Sequence, residues 1–258
     1  MEPPSRLKPR GRDRRWCWSG GALQHRALDR MLGQRRRALA QHMTVVAYDR
    51  RGRGASGDTA PYAAMREIED LAAVIDAHGA PVTVLGLSSG GALALEAAMQ
   101  LGPRIRQLIL FEVPYNDDPA ARAAWRPFAR EVAALLAGDR REDALRCFLQ
   151  HFGTPPEQCD AMRASPAWPL LVAAAPTLAY DLAILGEENA VPSRHAAIRV
   201  PTHILVGGAT FPFVADTARA LAALIPQATS QVLAGQTHAV GADALVEAVR
   251  AALPPAAG

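Results

Sequence analysis

VTVLGLSSGGALALEAA, Val82 to Ala98, runs from an apolar stretch through two serines flanked by glycines into an alanine-rich segment. Val82–Leu87 has the composition of a short buried strand, and the Ala and Leu spacing of Ser89–Leu101 is that of a helix. Between them, Gly86-Leu87-Ser88-Ser89-Gly90 fits the pattern G-x-S-x-G. Alone that pattern is common, but placed directly after a strand and before a helix it reads as a nucleophile elbow. So sharp a turn holds its serine at strained backbone angles and admits only small residues two places to either side. The register selects Ser88, because Ser89 would require a glycine where Leu87 stands. Ser89 then offers its backbone N–H, at the positive end of the helix, to an oxyanion.

Similar patterns lie on both sides. Met43–Asp49, Arg106–Val113, Thr202–Gly208 and Ser230–Gly235 read as further buried strands, and Met65–Gly79, Ala215–Ile225 and Ala242–Ala252 as helices. Buried strands alternating with helices predict an α/β fold, a mostly parallel sheet with helices on both faces. Sites in such sheets gather at the carboxyl ends of the strands. The alternation stops between Pro114 and Pro201, where Pro and Gly punctuate three or four helical segments. Residues 114–201 therefore read as an inserted helical cap, and 20–113 with 202–258 as the core. Trp125, Phe128, Phe148, Phe152, Trp168 and Tyr180 lie in the cap. Singly these rings are expected to pack it onto the core, and together to line any cleft between the two. Residues 1–19 read as an irregular arm or degenerate first strands. RWCWSGGAL (Arg15–Leu23) offers a short strand and a glycine turn, with a helix expected from about Gln24 to Gln41.

The 258 residues are half hydrophobic, which suits a globular chain with a sizeable core. The formal charge of +3 is local, since residues 1–15 alone carry a net +4 and the rest of the chain is close to neutral. A basic tail on a neutral body is poor support for nucleic-acid binding, and none is expected. Cys17, Cys147 and Cys159 show no CxxC spacing, against a disulfide framework or a zinc site. The N-terminal charges have no apolar run behind them, so no secretory signal is expected. No run is expected to reach the ~18 apolar residues of a membrane span, and the default location is cytoplasmic.

From about Gly20 onward the chain resembles the α/β-hydrolase superfamily in its serine-nucleophile, capped form. AYDRRGRGASG (Ala47–Gly57) resembles that family's D-x-R-G-x-G-x-S loop, its arginines read as structural groups holding the strand end. LAGQTHAV (Leu233–Val240) resembles the last strand and histidine loop, with His238 at the position of the general base. SGGAL (Ser19–Leu23) resembles the H-G-x loop with Gly20 replacing the histidine. The resemblance implies the backbone N–H of Ala22 as second oxyanion donor; a helix-entry turn without a ligand role is the alternative. Many members carry the acid just after the penultimate strand, but Ala209–Phe213 holds no carboxylate. Others carry it at the end of the strand after the nucleophile helix, a place occupied here by Glu112. A carboxylate amid apolar residues needs a partner, and His238 would be one. Asp117, Asp118 and Asp216 remain alternatives.

What the resemblance implies is a cofactor-independent, metal-free serine hydrolase that cleaves a carboxylic ester, thioester or lactone through an acyl-enzyme, its cap selecting an apolar substrate of small to medium size. Its catalytic residues would be Ser88, His238 and Glu112, with Ser89 and Ala22 forming the oxyanion hole. Epoxide hydrolases and haloalkane dehalogenases of that fold use an Asp nucleophile, so Ser88 argues against both. The alternatives are a cyclase, acyltransferase or perhydrolase-like enzyme at the same site, or an inactive ligand-binding homologue. No membrane partner is expected.

Overall fold

The computed structural model describes residues 5–7, 15–28 and 30–253. Strands β1 (Ser5–Leu7), β2 (Arg15–Ser19), β3 (Thr44–Ala47), β4 (Val82–Leu87), β5 (Ile105–Phe111), β6 (Thr202–Gly207) and β7 (Ala228–Leu233) form one sheet in the order β1-β3-β2-β4-β5-β6-β7. β1 is antiparallel to β3, and every other neighbouring pair is parallel. This is the expected α/β sheet. β4, buried along its whole length, lies between β2 and β5 near the middle. Alternate side chains of each strand point to opposite faces, so Val84, Leu108 and Ile204 enter one core layer while Leu85, Ile109 and Leu205 enter the other.

The helices follow that alternation. α1 (Arg30–Ala40) and α10 (Ala242–Ala251) cover the face bearing Trp16, Trp18 and Leu85. On the other face lie α2 (Ala64–His78), α3 (Ser89–Leu101) and α9 (Pro212–Leu224). Five more helices fill the chain between β5 and β6: α4 (Pro119–Ala137), α5 (Arg141–His151), α6 (Pro156–Arg163), α7 (Trp168–Ala174) and α8 (Leu178–Leu185). Trp125, Phe128 and Trp168 from these helices are buried in the same apolar cluster as α2, α3 and α9.

Arg15–Ser19 is the short strand offered there, an inner one paired on both sides; the calls on residues 1–4 and 8–14 of the arm lie outside the described residues. Three expectations need correction. The stretch between Pro114 and Pro201, read as three or four helical segments, holds five α-helices. The helix expected from Gln24 begins only at Arg30. Gln24 instead turns back, its Oε1 accepting the Gly21 N–H at 2.8 Å, while Leu23 sits at φ +61°. Finally, Trp168–Leu185 does reach the length and apolarity of a membrane span. In the fold it is α7, a 3₁₀ turn at Ala175–Thr177 and α8, half buried against the rest of the protein. A packed core helix is just as apolar.

Candidate active site

Ser88 sits between β4 and α3 at φ +52°, ψ −126°, a conformation costing a non-glycine residue roughly 1–3 kcal/mol. Its N–H donates to the Phe111 carbonyl at 2.9 Å, and its own carbonyl accepts from Gly91 N at 2.8 Å. Two glycines admit this turn. A Cβ on Gly86 would lie 2.7 Å from Gly90 O and Gly91 Cα, and one on Gly90 would overlap the carbonyls of Ser19 and Gly20. The small residues of the motif are thus required by backbone passing backbone.

The bond to Phe111 brings the end of β5 beside Ser88, and the next residue is Glu112. Glu112 also has positive φ, +50°, and its side chain is buried. The carboxylate accepts three hydrogen bonds: from Gly207 N at the end of β6 (2.9 Å), from Thr210 Oγ1 (3.1 Å) and from His238 Nδ1 (2.5 Å). Gly207 has no room for a side chain, since a Cβ there would lie 2.9 Å from Glu112 Oε1. His238 follows β7 in a loop held by Ala209 N to Gln236 O (2.9 Å) and Gly241 N to Gln236 Oε1 (2.8 Å). The His238 side chain keeps 44% of its surface exposed. With Nδ1 donating to Glu112, Nε2 is the nitrogen able to take a proton. The other candidate acids are engaged elsewhere. Asp117 accepts from Val191 N, Asp118 caps α4 through Ala121 N, and Asp216 pairs with Arg219 on α9.

The loop carrying Ala22 packs against the elbow. A Cβ on Gly21 would come within 3.0 Å of Ser88 Cβ and 3.6 Å of Ser88 Oγ. Behind this loop lies a group of charges whose partners the sequence did not reveal. Arg50 forms a bidentate pair with Glu67 of α2 (2.7 and 2.9 Å) and also reaches Asp181 Oδ1 of α8 at 2.9 Å. Arg53 holds Asp181 Oδ2 (2.6 Å), Thr177 Oγ1 (3.0 Å) and the Gly21 carbonyl (2.7 Å). All four charged side chains are buried. The Ser89 hydroxyl donates to Asp181 Oδ1 at 2.7 Å, so its side chain is committed alongside its backbone. Burial pushes the Asp181 carboxyl upward, but the charges of Arg53 and Arg50, with hydrogen bonds from Arg53 and Ser89, outweigh that and hold it below the usual range. Arg51, by contrast, turns to Asp70 and the Arg66 carbonyl in a partly buried setting.

A cavity of about 290 Å³ lies between the inserted helices and the loop after β6, lined by Trp125, His151, Phe152, Phe211 and Phe213 among others. Asn116 and Asn189 supply polar edges, and desolvation lowers the pKa of His151, favouring its neutral form. Phe211 also meets the His238 ring edge-on, with centroids 6.0 Å apart. Trp125 and Phe152 thus line a cavity as well as pack, whereas Tyr180 stacks on Tyr62 at 3.9 Å.

A model of the alpha/beta hydrolase family matches residues 11–252. An alpha/beta hydrolase from Sphaerobacter thermophilus is 41% identical, with a TM-score of 0.83, over 96% of this chain and 94% of its own. A hydrolase from Pseudomonas aeruginosa is 26% identical, TM-score 0.70, over 93% and 89%. An esterase from Thermogutta terrifontis, 24% identical with a TM-score of 0.63 over 96% and 90%, shares the fold. No curated protein matches.

Proposed function

Starting from a chain that belongs to the alpha/beta hydrolase family, we propose that it is a serine hydrolase acting on a small, uncharged carboxylic ester, thioester or lactone. The observation that carries this reading is the buried Glu112 carboxylate bonded to His238 Nδ1 at 2.5 Å, one residue beyond the carbonyl that holds Ser88 N. Ser88 Oγ attacks the substrate carbonyl and passes its proton to His238 Nε2. Glu112 fixes the imidazole tautomer and offsets the charge of the imidazolium that forms. The N–H groups of Ser89 and Ala22 receive the oxyanion. His238 then protonates the leaving group, and a water activated by the same histidine releases the acyl group from Ser88.

The inserted helices act as a cap. The cavity beside Phe211 has aromatic walls and no cationic side chain to receive a substrate carboxylate, which favours neutral acyl or alcohol portions. The three cysteines are free, which suits a reducing, cytoplasmic setting.

The test is turnover of a panel of p-nitrophenyl esters together with labelling by a fluorophosphonate. Wild-type protein should hydrolyse butyrate and hexanoate esters and take up one label, and Ser88→Ala should lose both. Undiminished labelling of Ser88→Ala, or wild-type turnover of none of these esters, would sink the assignment.

A further inference from the structure

Arg50 and Arg53 occupy the two variable places before and after Arg51-Gly52 in the D-x-R-G-x-G-x-S loop, and both guanidinium groups are buried. Their attachments converge on the loop beside Ser88. Arg53 Nη1 donates to Gly21 O at 2.7 Å and Arg50 Nη1 to Gly20 O at 3.2 Å. A trans peptide is planar, with its C=O and N–H pointing to opposite sides. A guanidinium on the Gly21 carbonyl therefore turns the Ala22 N–H away from Arg53. The Gly21 Cα stands against Ser88. The far side of Arg53 is anchored in the inserted helices, on Asp181 Oδ2 and Thr177 Oγ1. The same Asp181 also takes the hydroxyl of Ser89, whose N–H is the other donor in the proposed mechanism.

We infer that Arg53, clamped by Asp181 and Thr177 of the inserted helices, is a positioning residue that orients the Gly21–Ala22 peptide as an oxyanion donor and so couples cap docking to turnover. The inference rests on the serine-hydrolase reading for its catalytic consequence, but the anchoring is measurable without it. The guanidinium suits this place because its planar fork can bond a carbonyl, a carboxylate and a hydroxyl simultaneously. No one of these partners alone would fix the direction of the peptide. Seating α8 on the loop thus completes the donor set, whereas an undocked α8 would free Arg53 from Asp181 and Thr177 and leave the Gly21 carbonyl unconstrained.

The test uses the full chain and two readouts: kcat and KM on the best ester of the panel, and amide hydrogen exchange of the segment 19–24. Arg53→Met should speed exchange in that segment and lower kcat about 100-fold, the loss typical of one oxyanion donor, while KM changes less than about 3-fold. Arg53→Lys, which can still donate to one carbonyl, should recover part of kcat. Thr177→Val removes one anchor of Arg53 without touching the loop; it should shift both readouts in the same direction by less, and it serves if Arg53→Met does not fold. Tyr62→Phe is the control. Its hydroxyl bonds Glu67 and the Tyr180 carbonyl but not the loop, so a general loosening of the network would show there too. Unchanged exchange and kcat in Arg53→Met, or equal losses in Tyr62→Phe, would overturn the inference. If wild-type protein turns over no ester, the serine-hydrolase reading fails, and exchange of segment 19–24 still decides for or against the anchoring.

Discussion

Ser88 and Glu112 both adopt positive φ without being glycine, and each is the residue that immediately follows a strand. Backbone strain of this kind persists only where the surroundings over-determine it. For Glu112 those surroundings are Gly207 N, Thr210 and His238. Ser88 was legible because G-x-S-x-G states its own register. Glu112 emerged from the resemblance and the lack of a carboxylate at Ala209–Phe213. Thr210 was not foreseen, since a threonine near a strand end carries no signal of its partner. Glu112→Gln should lower kcat on a good ester by about 10³–10⁴-fold, the scale of losing the correct histidine tautomer. Asp216→Asn, which breaks only an exposed pair with Arg219, should stay close to wild type in the same assay.

At the level of elements, the predicted strands and helices of the core lie within a few residues of those observed, because both the strand runs and the 3.6-residue spacing are local. The failures are equally physical. The helix expected from Gln24 starts late because the Gln24 side chain closes a local turn on Gly21 N, three residues back, which a reading by apolar spacing alone does not register. The apolar run Trp168–Leu185 owes its composition to burial within the inserted helices. α3 depends on small residues for its approach to the loop after β2. Gly90→Ala would drive a methyl group into the Ser19 and Gly20 carbonyls, backbone that has little freedom to move. The expected cost is about 1–3 kcal/mol by urea denaturation, accompanied by lost activity as Ser88 and Ala22 are pushed apart. Unaltered stability would show that the contact relaxes more easily than the packing implies.

Across the whole molecule, the Arg50–Glu67–Asp181–Arg53 group ties the strand-end loop, α2, α3 and the inserted helices together. Its effect on stability has a definite sign. The Asp181 pKa is depressed in the folded protein relative to its ordinary value near 3.9. That contribution is therefore fully present above the unfolded value and is lost as pH falls through the folded one. Glu96, held low by His195 and Arg194 against a desolvation that would raise it, acts in the same direction. Asp181→Asn should cost about 3–5 kcal/mol at pH 7, because it leaves buried arginines undercompensated. The gap to wild type should narrow as urea midpoints are taken from pH 7 to pH 3; a gap that is constant with pH would contradict the linkage.

The sequence by itself determined the sheet, the elbow and the order of its elements, because apolar periodicity and the steric needs of a tight turn are written between near neighbours. Only the tertiary structure decided what Arg50, Arg53 and Ser89 hold. Arg53 and Asp181 are 128 residues apart. A buried charge pair of that separation leaves no periodic trace and exists only once the inserted helices have docked on the core.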